Sequence, residues 1–98
     1  MARIFRTSAG RDCWLDVYES SYFNGKLRRY FGPTEVDRLT GGSVIVGPRA
    51  RVQVLVHRRG KAVSMELKPN RIIADLAASL RGATIDSAKV VCPTASAR

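Results

Sequence analysis

The sequence has little acid, one histidine, two cysteines and no long apolar run. No stretch approaches the ~18 consecutive apolar residues of a membrane-spanning helix, so no membrane span is expected. The start, Met1-Ala2-Arg3-Ile4-Phe5-Arg6, passes into polar residues without an apolar h-region. No signal peptide is therefore expected, and a cytoplasmic setting is favoured. The single His57, with Cys13 and Cys92 far apart, falls short of the four ligands of a structural zinc site. No spacing pairs either thiol with His57 for nucleophilic catalysis. Gly41-Gly42 lacks the lysine and helix start of a phosphate loop. Asp12, Asp16 and Glu19 follow one segment, where acids without a pocket signal read as a solvated strand edge. No catalytic residues are assigned and no enzyme is expected.

What is present is an ordinary globular composition with an unusual charge. The 98 residues make one domain, and 45% of them are hydrophobic and 26% charged, which argues against wholesale disorder. Seventeen Lys and Arg against eight Asp and Glu leave +9, a surplus that attracts polyanions. The basic residues form no single block, and no zinc-finger, helix-turn-helix or RNA-recognition pattern accompanies them. The candidates for a polyanion surface are Arg28, Arg29, Arg49, Arg51, Arg58, Arg59 and Lys61. For Cys13 and Cys92 two states are open. A disulfide would tie the first strand to the last, but two buried free thiols are favoured where no leader is seen.

The hydrophobic pattern has the period of strands. Residues 13–19 alternate, with Leu15 and Val17 opposite Trp14, Asp16 and Tyr18. Ser20 to Gly25 is a turn, and residues 26–31 return with Leu27 and Phe31. Gly32-Pro33 breaks the chain, a loop runs through Asp37 and Leu39, and residues 43–46 form a short apolar strand. The pattern restarts with Ala50, Val52, Val54 and Val56 on one face. Arg58-Arg59-Gly60 turns the chain, and Val63, Met65 and Leu67 are expected to point inward on the return. A short helix is expected near residues 71–81, capped by Asn70 and ended by Gly82, with Ile72, Ile73, Leu76 and Leu80 on one face. The last strand is expected over residues 88–92. Trp14, Tyr18, Tyr22, Phe23, Tyr30 and Phe31 suit core packing better than a stacking platform for bases.

The chain thus divides into two similar halves. Gly25 answers to Gly60, Asp37 to Asp75, Ser43 to Ser87 and Val46 to Val90. Neither half buries its apolar face alone, so two Greek keys packed as an all-β sandwich are expected. Their bounds are about 12–47 and 48–92, with a tail over 93–98.

Against this pattern, Tyr18-Glu19-Ser20-Ser21-Tyr22-Phe23-Asn24-Gly25 resembles the folded-hairpin signature of the βγ-crystallin family: aromatic, four residues, aromatic, one residue, glycine. Residues 43–48 and 84–91 resemble the ends of that family's first and second keys. The resemblance covers about residues 12–92. The second hairpin, Val54 to Gly60, is two residues shorter and lacks both aromatics, so the second key is degenerate.

The resemblance raises calcium as a cofactor. Many microbial members bind two calcium ions through a loop reading Asn/Asp-Asn/Asp, two free residues, Ser/Thr, Ser, with a carbonyl from the partner hairpin. Hard cations of this kind require several oxygens. Here the loops read Arg38-Leu39-Thr40-Gly41-Gly42-Ser43 and Gly82-Ala83-Thr84-Ile85-Asp86-Ser87. Neither opens with an acid or amide, and one opens with a cation. Glu19, Ser43, Asp86 and Ser87 remain as weak calcium candidates, and decayed, weak or absent binding is expected. The resemblance implies a non-enzymatic structural or stress-related domain, expected to be monomeric with a dimer left open. The alternatives are a module for nucleic acid or acidic polysaccharide, and a small secreted inhibitor or toxin. The sequence names no partner.

Overall fold

A computed structural model describes residues 12–93 of the chain. Most of the tail placed at 93–98 lies outside the described residues.

Eight strands form among the described residues, and β-branched residues with period-two alternation mark β5 most clearly. They are β1 (Trp14–Ser20), β2 (Asn24–Phe31), β3 (Thr34–Asp37), β4 (Ser43–Val46), β5 (Arg51–Arg58), β6 (Lys61–Leu67), β7 (Ile72–Ile73) and β8 (Thr84–Val91). One short helix, α1 (Leu76–Leu80), precedes β8. The strands make two four-stranded sheets, ordered β2-β1-β4-β7 and β3-β8-β5-β6, with every pairing antiparallel.

The order of the strands explains why the halves depend on one another. β3 leaves the first half and pairs with β8 at the edge of the second sheet. β7 leaves the second half and pairs with β4 at the edge of the first. The core holds Leu15, Val17, Val44 and Val46 of one sheet together with Val52, Val54, Val56, Ala88 and Val90 of the other. Each fully buried Leu or Val contributes roughly 1.5–3 kcal/mol.

The two hairpins differ, as the missing aromatics of the second lead one to expect. Between β1 and β2 a 3-10 turn over Ser21–Phe23 folds the hairpin over the sheet, and the Tyr22 N–H donates to the Ala74 carbonyl at 2.7 Å. Tyr18 and Phe23 meet edge to face with centroids 5.5 Å apart. The β4 side approaches so closely that a Cβ on Gly42 would collide with the Ser20 carbonyl carbon. Between β5 and β6 the ladder runs unbroken from Val52↔Leu67 to Arg58↔Lys61. The two-residue turn Arg59-Gly60 has φ of 51° and 77°, the left-handed pair that matches strand twist in tight hairpins. This hairpin stays straight.

Several expectations are corrected. The helix is confined to Leu76–Leu80, because Ile72 and Ile73 pair with Ile45 and Val44 as the edge strand β7. Its N-cap is Asp75, whose side chain accepts from the Ala78 N–H at 3.2 Å, while Asn70 lies in a turn at φ 67°. Residues 34–37, expected as loop, are β3, and the last strand begins at Thr84. Val63 and Met65 are not buried in a core: they pair with Val56 and Val54 but lie on the edge strand β6, and they are 51% and 44% exposed. Nor do the aromatics fill the core. Tyr22 and Phe31 are exposed, and Trp14, Tyr18, Phe23 and Tyr30 are half-buried.

Asp16 is not a solvated edge residue. It is 4% exposed beneath Arg29, which donates from Nε at 2.6 Å and from Nη2 at 2.8 Å. Finally, Cys13 and Cys92 are not free thiols but a disulfide, with Cα atoms 5.7 Å apart. The chain directions of β1 and β8 bring the two residues together, and Gly32 leaves the room. A Cβ on Gly32 would lie 2.7 Å from Cys92 Sγ and 2.9 Å from Cys13 Sγ.

Candidate functional site

The loops that resemble calcium loops lie at the ends of β3 and β8. Arg38 follows β3 with φ 55°, and its N–H donates to the Asp86 carbonyl at 2.7 Å. The four candidate oxygens do not form one set. Ser43 is fully buried, and its hydroxyl donates to the Ser20 carbonyl at 2.8 Å and accepts from the Phe23 N–H at 2.9 Å. That hydroxyl is committed to locking the folded hairpin. Glu19 lines a small cleft of about 180 Å³ with Val17, Thr40 and Gly41, but Lys26 and Arg28 line it too. Asp86 lies 3.4 Å from Nδ1 of His57 on the neighbouring strand. Ser87 is half-buried within β8, opposite Asp37 and Leu55. Among the described residues no three His, Cys, Asp or Glu gather in a metal-ligand group. A dication needs converging oxygens and negative charge. The donors here are separated, and cations stand beside them, so the set does not fit calcium.

The basic candidates are dispersed in space as they are in sequence, with one exception. Arg29 lies on the outer face of the first sheet, bound to Asp16 and stacked 4.2 Å over the Trp14 ring. The Asp16 hydrogen bond, first among the influences on it, raises the Arg29 pKa above its ordinary value. Arg51 is 3.1 Å from Glu66 and Arg49 is 3.9 Å from Asp12, near the opposite end of β5 from the hairpin tip. Arg28 faces the cleft of Glu19, and Lys61 begins β6.

Arg58 and Arg59 are the exception. With His57, Arg81 and Gly82 they line an open cleft of about 430 Å³ between the β5–β6 hairpin tip and the end of α1. Arg58 Nη2 donates to the Leu80 carbonyl at 2.9 Å, which satisfies a helix-end acceptor and joins the two elements. Arg59 and Arg81 both have left-handed backbones, φ 51° and 53°. A side chain in that conformation costs roughly 1–2 kcal/mol where glycine or asparagine costs less. Arg81 was outside the sequence-based candidates. Its place beyond the helix, one residue before Gly82, was the available signal.

No protein-family profile matches the chain, and no curated protein sequence is similar to it. Solved structures are. The chain has the fold of a βγ-crystallin domain, an all-β sandwich with one short helix. One match is a structure concerned with the evolution of the eye lens beta-gamma-crystallin domain fold, 20% identical, with a TM-score of 0.66 over 84% of this chain and 88% of the other. Another is the βγ-crystallin domain of Abundant Perithecial Protein from Neurospora crassa in its Ca²⁺-bound form. It is 20% identical, with a TM-score of 0.64 over 83% and 90% of the two chains. IPSE/alpha-1 from Schistosoma mansoni eggs is 21% identical, with a TM-score of 0.60 over 81% and 84%. Identities this low establish the fold and carry no activity. No helix among the described residues is long and apolar enough to cross a membrane.

Proposed function

We propose that this is a non-enzymatic βγ-crystallin-like domain of structural or stress-related type, closed by a disulfide, whose calcium loops no longer hold the ion. One observation carries the reading: the Ser43 hydroxyl, in the loop that resembles a calcium loop, is buried and bonded to Ser20 and Phe23. The loop that should supply a ligand instead acts as a clamp on the first hairpin. Arg38 at the head of that loop, and Lys26 and Arg28 beside Glu19, add repulsion toward any dication. The disulfide supports work in an oxidising compartment, outside the cytoplasm, since such bonds persist there.

The test is a thermal melt with chelator and with ~10 mM calcium, well above the ~0.1–1 mM constants of weak extracellular sites. No change in midpoint is expected. A functioning site would add roughly 1.4–2.7 kcal/mol by mass action. A rise of about 6–20 °C for a domain of this size would therefore overturn the reading.

A further inference from the structure

We propose that the cleft between the β5–β6 hairpin tip and the end of α1 is a binding site for a compact tetrahedral oxyanion, a phosphate or sulfate group. Three arginines and His57 line it, and its lining contains no carboxylate. Asp86, on the neighbouring strand, lies 3.4 Å from Nδ1 of His57. Three arginines elsewhere are opposed by acids, Arg29 by Asp16, Arg51 by Glu66 and, more loosely, Arg49 by Asp12, while Arg28, Arg38 and Arg71 stand singly. Among the described residues Arg58, Arg59 and Arg81 have no such partner. This cleft therefore brings three arginines without an acid partner together with His57.

Charge alone would describe a solvated turn; Arg38 also has a left-handed φ, but only at this cleft do two such arginines meet. Arg59 and Arg81 stand in left-handed conformations, at φ 51° and 53°. A two-residue hairpin of this type favours asparagine or glycine at the first position, and a left-handed helix end favours the same residues. Either would serve the fold better than arginine. Two unrelated elements have each placed an arginine where local geometry disfavours it, and both arginines face one cleft. Strain of this kind collects at ligand sites. Arg58 is the third element of preorganisation, because its bond to Leu80 fixes the guanidinium across the cleft and spends one of its five donors. Guanidinium groups suit the paired oxygens of phosphate and sulfate.

The experiment is a titration of the folded protein with inorganic phosphate and, separately, with sulfate, at constant ionic strength set by chloride. Binding is followed by the amide NMR shifts of residues 57–60 and 81–82. Saturable shifts confined to those residues are expected, and whichever anion saturates first identifies the preferred group. Arg59→Asn with Arg81→Asn should weaken binding about tenfold or more. The same pair should leave the melting midpoint unchanged or raised, because asparagine suits both backbones. Arg49→Gln, which removes one positive charge at the far end of β5, should change the affinity by less than about twofold. Unsaturable shifts spread over all the basic residues would overturn the proposal. So would an Arg49→Gln effect as large as that of a cleft arginine, or full binding by the asparagine pair.

Discussion

Replacing Ser43 with alanine tests whether the first hairpin is held down by one buried hydroxyl. The substitution removes about one atom from a fully buried position, so a cavity contributes little. The loss lies in the hydrogen bonds. The Phe23 N–H, which donates to Ser43 at 2.9 Å, and the Ser20 carbonyl, which accepts from it at 2.8 Å, both lose their partner. Each buried group left unsatisfied costs roughly 1–3 kcal/mol. Both bonds are only partly buried, so water offsets part of the loss and about 2–4 kcal/mol in total is expected. At about 4–8 °C per kcal/mol for a domain of this size, the midpoint should fall by ~8–30 °C. Ser87→Ala is the control. Ser87 occupies the corresponding place in the second half, holds no comparable pair of bonds among the described residues and has a straight hairpin beside it. It should cost about 1 kcal/mol or less. Urea unfolding at unchanged m-value separates the two, and equal losses for Ser43→Ala and Ser87→Ala would refute the clamp.

Three further outcomes follow from the packing. Reducing the disulfide, which closes a sequence separation of 79 residues, should destabilise the domain by about 4–5 kcal/mol on the loop-entropy account. A thiol assay that finds two free cysteines in the untreated protein would contradict the bond. Gly42→Ala should cost at least about 1–3 kcal/mol, because its Cβ meets hairpin backbone, which cannot swing away as a side chain does. Gly60→Ala meets nothing within 4 Å and should show only the backbone cost of its left-handed φ, roughly 1 kcal/mol. Arg29→Ala should alter Trp14 fluorescence, since the guanidinium lies 4.2 Å from the ring. A double-mutant cycle with Asp16→Asn should give a coupling of about 1 kcal/mol, kept small by the 42% exposure of the Arg29 side chain. No coupling and no spectral change would show the contact to be absent in solution.

The strands that build the sandwich were legible because their period-two patterns are local. Leu15 and Val17, and Val52, Val54 and Val56, are buried where alternation places them. The folded hairpin was legible only through the resemblance of residues 18–25 to the βγ-crystallin signature, since the residues by themselves mark just a turn. What depended on partners distant in sequence was not. Ile72 and Ile73 fit a helical face as well as a strand, and only the free edge of β4 decides between them. Thr34–Asp37 is too short to show a period, and its pairing with β8 makes it a strand. Val63 and Met65 alternate as core residues do, yet nothing local reveals that β6 is an edge strand. Asp16 gave no sign of the Arg29 that covers it, because the two meet across a ladder. The basic cleft is half visible in the sequence: Arg58 and Arg59 are adjacent, but Arg81 joins them only through the return of the chain after α1.

The bridge between Cys13 and Cys92 also fixes how the domain carries force. A pull on the chain from either side enters beside β1 and leaves beside β8, at two Cα atoms 5.7 Å apart. The load then passes through one covalent link, and the strands between carry none of it. Stretching the oxidised protein from outside this pair would leave both sheets whole. The reduced protein would instead yield strand by strand, beginning where β1 and β8 leave their sheets. Redox state would thus switch the domain between an inextensible link and an extensible one.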